Sequence, residues 1–181
     1  MVKIIILSDT HRSVELCEQS LKAEQPADLL IHLGDYVEDG LELSEKLGVE
    51  LVSVRGDNDF CAGPVERDLE ISGLKIFLAH GHTCNIDDGL DEIYDESVRR
   101  GARVVLFGHS HRPGIHERNG VVLFNPGSLY LAEKEQSYGV MRLEYPRIFL
   151  GIYNLNRKGY MDVREISLGA GQDAHHVQCP R

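Results

Sequence analysis

Asp9 and His11, Asp35, Asp57 and Asn58, His80, and His109 and His111 are the residues whose types and spacing could do chemistry in this 181-residue chain. Each group follows a short apolar run and opens with Gly, Asp or His. A single Asp-x-His after a strand is an ordinary helix cap and loop residue, but capping does not explain five loops of the same make. Imidazole nitrogens and carboxylate-type oxygens are ligands for divalent metals. Eight candidates exceed what one tetrahedral zinc takes and suit two ions that share a bridging carboxylate. Two ions about 3.5–4 Å apart lower the pKa of bound water from about 15.7 towards neutrality and clamp an anionic phosphoryl group. The chemistry that follows from such a set is hydrolysis.

For those ligands to meet, the strands before them must end on one edge. Val2 to Leu7 is an almost unbroken β-branched and aliphatic run, which suits a parallel strand covered on both faces. Asp9 and His11 leave its carboxyl end, where ligands bind in open α/β sheets, and at two residues apart on extended chain they share a side. Ser13 as N-cap, with Glu15 in the first turn, opens a helix carrying Val14, Cys17 and Leu21, which Pro26 stops. Residues 28–33 form a second strand ending in Gly34-Asp35. Asp39 and Glu42 read as a capping box for a second helix closed by Gly48. Residues 49–54 form the third strand and run into Arg55-Gly56-Asp57-Asn58-Asp59. Strand and helix alternating with short links predict a parallel sheet with right-handed crossovers.

The second half is richer in hairpins. Strands at 65–71 and 74–79 flank Ser72-Gly73 and lead into His80-Gly81-His82. Asn85 is expected to cap a third helix with Ile86, Leu90, Ile93 and Tyr94 on one stripe and Gly101 at its end. Residues 103–107 lead into Gly108-His109-Ser110-His111. An Asn119-Gly120 hairpin, the loop Asn125-Pro126-Gly127-Ser128 and antiparallel strands near 138–144, 147–154 and 160–166 complete the chain. The fold expected is α/β, with two stacked mixed β-sheets flanked by helices in an αββα sandwich. Residues 1–166 form one domain, and 167–181, with His175 and His176, read as a loose solvated tail.

Composition excludes several classes. Twenty-nine acidic against 19 basic residues give a net charge of −10, which argues against generic nucleic-acid or anionic-membrane binding through a broad basic surface. Cys17, Cys61, Cys84 and Cys179 have no CxxC spacing and read as free thiols in a reducing compartment. With no signal peptide and no membrane-length apolar run, the expected location is cytoplasmic. No Gly-x-Gly-x-x-Gly follows the first strand, which argues against a dinucleotide-binding oxidoreductase.

The order Asp-x-His, Gly-Asp, Gly-(Asn/Asp)-x-Asp, His-Gly and Gly-His-x-His resembles that of the calcineurin-like metallophosphoesterase superfamily. Leu33-Gly34-Asp35, His80-Gly81-His82 and Asn125-Pro126-Gly127-Ser128 are similar to its small bacterial and archaeal YfcE-type phosphodiesterases. The resemblance covers residues 2 to about 166. It implies an enzyme that cleaves a small phosphodiester by attack of metal-bound hydroxide. One metal would take Asp9, His11 and His111, the other the residue at position 57, His80 and His109, with Asp35 bridging. The implied ions are manganese first, with nickel, iron or zinc as alternatives. Asn125 and Ser128 belong to a turn that is scaffold near the site.

Two departures from that pattern matter. The family usually has asparagine where this chain has Asp57, and Asn58 comes one place later; register favours Asp57, and a one-residue shift would make Asn58 the ligand. Many larger relatives carry a histidine after that ligand to protonate the leaving group, and Asn58 stands in its place. Diesters with good leaving groups are therefore the expected substrates. Asp35, Asn58 and His82 make up the expected catalytic set, and Arg12 and His82 the expected contacts to substrate. His82 is equally well read as a turn histidine bonded to backbone. Arg55 and Arg112 are expected in surface ion pairs. The same fold includes a retromer scaffold subunit that binds partners, so a non-catalytic scaffold is the alternative function. A homo-oligomer is left open.

Overall fold

The computed structural model describes residues 1–168. In chain order the elements are β1 (Val2–Leu7), α1 (Val14–Ala23), β2 (Leu29–His32), α2 (Val37–Leu47), β3 (Glu50–Ser53), β4 (Glu66–Ile71) and β5 (Leu74–Ala79). A single 3₁₀ turn (His82–Cys84) follows, then α3 (Asp91–Arg100), β6 (Val104–Leu106), β7 (Gly114–Arg118), β8 (Val121–Asn125), β9 (Ser137–Glu144), β10 (Arg147–Asn154) and β11 (Gly159–Ser167). One sheet has the order β11-β10-β9-β1-β2-β3, the other β4-β5-β6-β8-β7.

The layering follows from alternation along β1. Ile4 and Ile6 face the other sheet and pack with Ile31, Ile76, Leu78 and Leu106 between the two sheets. Ile5 and Leu7 face outward and are covered by Val14, Cys17 and Leu21 of α1 and Leu43 of α2. On the far side Phe77, Val105 and Phe107 pack under Ile93 of α3. A strand covered on both faces has no polar side to show, which is why β1 reads as a continuous apolar run. The result is the helix, sheet, sheet, helix order expected from the sequence, with mixed sheets: β1, β2 and β3 are parallel, as are β5, β6 and β8, while β9, β10 and β11 are antiparallel.

Two helix starts differ from the sequence reading. The second helix begins at Val37, not behind an Asp39 cap, and Tyr36 precedes it in the left-handed region at φ 68°. Asp59, distant in sequence, caps it instead, its carboxylate accepting the N–H groups of Val37 at 2.8 Å and Asp35 at 2.9 Å. Asp39 accepts the Arg12 N–H at 2.6 Å. The third helix begins at Asp91, six residues after Asn85, because Asn85 at φ 45° and Gly89 at φ 141° turn the chain away from helix. The Asn85 amide donates to the Glu92 carboxylate from outside the helix. Ser13 precedes α1 as expected but makes no side-chain cap bond. At the other end β11 continues through Ser167 and Leu168 is buried, so the fold runs two residues into the expected tail. The rest of that tail, 169–181, lies outside the described residues. Among the described residues no helix is long and apolar enough to cross a membrane.

Candidate metal centre

The carboxyl ends of β1, β2, β3, β5 and β6 bring the five loops together. Ligand atoms of Asp9, His11 and His111 lie within 4.8 Å of one another, as do those of Asp57, His80 and His109, and those of Asp9, Asp35 and His80. In the first group His111 Nε2 is 3.2 Å from Asp9 Oδ1. In the second, Asp57 Oδ1 is 3.2 Å from both His80 Nε2 and His109 Nδ1. Asp35 lies between them, with Oδ1 3.4 Å from His80 Nε2 and Oδ2 3.6 Å from His11 Nε2. Asn58 takes no place in either group. Its side-chain amide donates to Asp35 Oδ2 at 2.6 Å and its backbone N–H to Oδ1 at 3.0 Å, so it holds Asp35 in orientation.

The donor atoms are of the kind that holds divalent metal ions. Asp9 Oδ1 and His11 Nε2 are buried without a hydrogen-bond partner, a state that costs about 1–3 kcal/mol per group unless something polar meets it. Both point into the cluster. In His80, His111 and His109 the far ring nitrogen is already engaged, which fixes which nitrogen each of the three offers. His80 Nδ1 is 2.8 Å from the Leu33 carbonyl and must donate, leaving Nε2 for the centre. His111 Nδ1 is 2.8 Å from Glu133 Oε1. His109 is turned round, with Nε2 3.4 Å from Asp87 Oδ2 and Nδ1 inward.

Local backbone makes the convergence possible. Asp9, His11, Asp35, His109 and His111 all have positive φ, between 44° and 64°. Asp and His tolerate that region better than most residues, and the turn it makes throws each side chain back over the strand end. Two glycines admit the close approach. A Cβ on Gly56 would lie 2.1 Å from Asp35 Oδ1, and one on Gly108 1.8 Å from Ser8 Oγ. The Asn-Pro-Gly-Ser turn ties two ligand loops together: Ser128 Oγ donates to the Asp9 carbonyl at 3.0 Å and Asn125 Nδ2 to the Gly108 carbonyl at 2.9 Å.

The electrostatics favour anionic carboxylates. Burial alone would push Asp9 up, but the closeness of the His111 and His80 imidazoles and the hydrogen bond from Ser8 outweigh it, and its carboxyl sits below the usual range. Asp57 is lowered as well: burial opposes, while a backbone hydrogen bond and the charges of His109 and His80 prevail. His111 is pushed up to about 9, first by the closeness of the Asp9 carboxylate, against burial, and then by Glu133.

The remaining residues singled out in the sequence lie around this centre. His82 is half-buried in the 3₁₀ turn, its ring 5.5 Å from His80 and 6.2 Å from His109, and its Nδ1 meets no hydrogen-bond partner among the described residues. The backbone-bonded turn histidine is therefore not what Nδ1 shows. Burial and the charge of His80 lower its basicity. Arg12 is exposed with its guanidinium 5.6 Å from the Tyr36 ring centre. The surface ion pairs expected of Arg55 and Arg112 do not occur among the described residues. An exposed pair yields about 0–1 kcal/mol and must fix two long side chains, so nothing compels them. The sequence reading missed Glu133, Asp87, Asp59 and the two tyrosines flanking His11, Tyr36 at 5.0 Å and Tyr130 at 4.6 Å between ring centres. Only Asp59 left a signal, as the last acid of the Gly56-Asp57-Asn58-Asp59 turn.

The chain also has recognisable relatives among known proteins. Residues 2–146 match the model of the calcineurin-like phosphoesterase superfamily domain. A probable metallophosphoesterase of Bacillus subtilis, YsnB, is 33% identical over 148 residues, covering 79% of this chain and 85% of that protein. The phosphodiesterase YfcE of Escherichia coli K12 is 25% identical over 168 residues, covering 78% and 88%. The solved structure of Vacuolar Protein Sorting 29 from Cryptosporidium parvum superposes with a TM-score of 0.80 over 92% of this chain and 98% of that one; at 19% identity this likeness concerns the fold alone.

Proposed function

The chain belongs to the calcineurin-like phosphoesterase superfamily, and from that premise we propose that it hydrolyses small phosphodiesters at a centre of two divalent metal ions. The observation that carries the reading is the position of Asp35, whose two oxygens lie 3.4 Å from His80 Nε2 and 3.6 Å from His11 Nε2, one towards each ligand group. Asp9, His11 and His111 would hold one ion and Asp57, His80 and His109 the other, with Asp35 shared. Ions bound there supply acidification of water and neutralisation of phosphoryl oxygens; manganese is our first expectation, with nickel, iron or zinc admitted by the same mixed donors.

The other steps fall to the chain's own groups. Asn58 orients Asp35 through two hydrogen bonds. Arg12, on the rim and without an ion pair among the described residues, is available to a phosphoryl oxygen. Asn58 has no proton to give a departing alkoxide at neutral pH, and His82, partly exposed beside His80 and His109, is a nearby imidazole outside both ligand groups. Substrates with stabilised leaving groups are therefore favoured, and a diester brings only one negative charge to an acidic site. The phosphodiesterase name of the E. coli relative supports the same choice. A partner-binding scaffold of this fold is the alternative, and it would show no metal-dependent turnover of any phosphoester. We place the protein in the cytoplasm, on the thiols of Cys17, Cys61 and Cys84, which form no disulfide among the described residues.

The test is turnover of an aryl phosphodiester and the matching aryl phosphomonoester with manganese. Chelation should abolish diester cleavage and added manganese restore it, and Asp35→Ala should lose at least about 10²-fold. Asn58→His should raise monoester turnover, by up to the roughly 10²–10⁴-fold worth of a positioned acid. Full activity after chelation would end the metal reading. A parent that prefers the monoester would end the diester reading.

A further inference from the structure

Beside the metal centre lies a cleft of about 250 Å³ lined by Arg12, Tyr36, Glu38, Asp39, Asn58 and Phe60. Its inner wall touches the ligands directly: the Tyr36 ring is 5.0 Å from that of His11, and the Asn58 amide is on Asp35. Its outer wall is Phe60, fully exposed at 100%. Phe60 is not on a loose tip. The preceding residue, Asp59, is 4% exposed and its carboxylate accepts three backbone N–H groups, from Asp35 at 2.9 Å, Val37 at 2.8 Å and Gly56 at 2.7 Å. The same carboxylate therefore sets the bridging ligand, the start of α2 and the place of the exposed ring. Tyr36 is held as firmly, in a left-handed conformation a tyrosine seldom adopts.

Two aromatic side chains, Tyr36 and Phe60, the Arg12 guanidinium and the Glu38 and Asp39 carboxylates line one cleft, and that set is complementary to a definite kind of guest. Planar rings stack on aromatic faces, a phosphate pairs with arginine, and Glu38, exposed and without an ion pair among the described residues, can accept hydrogen bonds from ring or exocyclic N–H groups. We propose that this cleft binds the organic arm of the substrate, and that this arm ends in a nucleobase: the enzyme acts on a small nucleoside phosphodiester. A plain aryl arm would leave the polar side of the cleft unmatched. A long nucleic acid is disfavoured by the net charge of −10. On the other side of Arg12 and Asp39 a second cleft of about 660 Å³, reaching Val14, Glu42 and Leu131, leaves room for the second arm that a diester carries.

The inference rests on the phosphodiesterase reading, and its test separates the two. The manganese-loaded protein is titrated calorimetrically with adenosine 5′-monophosphate and with ribose 5-phosphate, which offer the same phosphate and differ by the base. The nucleotide should bind at least about tenfold tighter, and Phe60→Ala should reduce that ratio by about tenfold, the usual weight of one stacked base. Because Phe60 is wholly exposed, the variant should fold. A ratio near one in the parent, or a ratio unchanged in Phe60→Ala, overturns the subsite while leaving diester turnover intact. A protein that binds neither probe with manganese and cleaves no diester overturns the metal-centre reading itself.

Discussion

His32 lies behind the metal centre, and lowering the pH should expose what it does. The ring is 0% exposed, and the Gly34 N–H donates to Nδ1 at 3.2 Å. Nε2 must then carry the proton, which it shares with Thr10 Oγ1 at 3.1 Å, while that hydroxyl lies 3.3 Å from the Tyr36 carbonyl and 3.4 Å from that of Asp35. The neutral ring thus links the Asp9-Thr10-His11 loop to the Gly34-Asp35-Tyr36 loop. Gly40 permits this, since a Cβ there would stand 3.0 Å from the ring. Burial drives the His32 pKa down to about 4 from 6.5, against the pull of Asp59, Asp9 and Asp39. The folded value is depressed, so between those limits the unfolded chain binds more protons. His32 therefore leaves stability intact above pH 6.5 and takes it away as pH falls, by about 2 kcal/mol at pH 5 and about 3 kcal/mol near pH 4. The assay is urea unfolding from pH 7.5 to 4.5 in chelator, on the parent and on His32→Asn, whose amide oxygen can still accept from Gly34. The variant should start lower, by about 2–3 kcal/mol for the lost ring packing and Thr10 bond. Its curve should then be flatter by the amounts above, since the other titrating groups are common to both. Parallel curves would refute the argument.

Three further outcomes follow from the centre. Glu133 orients His111, and Gln136 clamps the Glu133 turn by donating to the Tyr130 and Glu133 carbonyls at 3.2 and 2.7 Å. Glu133→Ala should weaken one metal of the two by about 10–100-fold in a titration followed by metal analysis, and two equally retained ions would count against it. Asp57→Asn should keep activity but hold its metal less tightly, having lost a negative charge. Sequence alone makes Asn58→Ala neutral for metal content; because the Asn58 amide holds Asp35, the substitution should instead loosen metal binding by about tenfold, and unchanged affinity would return Asn58 to a bystander.

What was legible in the sequence was what period and order encode. The alternation of Ile4 and Ile6 against Ile5 and Leu7 carried the layers, and the turn after each apolar run carried the residues that meet. Helix starts were less legible, because the cap of α2 is Asp59, 22 residues from Val37, and no local pattern announces a cap from that distance. The partners of the histidines were illegible for the same reason. Glu133 is 22 residues from His111 and Asp87 lies on another loop from His109, so only the folded chain pairs them. The choice between Asp57 and Asn58 was a matter of one residue in a turn. Sequence register favoured Asp57, and the fold puts its carboxylate with His80 and His109 while the amide of Asn58 goes to Asp35.

The conformation of the ligands explains why so rigid a body stands behind so small a site. Five of the seven proposed ligands have positive φ, at a cost on the order of 1 kcal/mol each for residues other than glycine, or roughly 5 kcal/mol in all. That is comparable to the whole stability of a modest domain, about 5–15 kcal/mol, so local preference cannot hold these loops. The strands can. Ile4 to Leu7 are each 0% exposed, as are Leu78, Ala79 and Leu106 before the histidine loops, and moving a loop to relieve its backbone would shift a strand packed on both faces. The strain is therefore fixed by distant burial, and the donor atoms it leaves unpaired, Asp9 Oδ1 and His11 Nε2, are aimed at one point. A cation bound at that point, as proposed, would satisfy those atoms only in the folded chain. Metal affinity and fold stability would then be one linked quantity, and a core substitution under β1 should act on the site as surely as one in the loops.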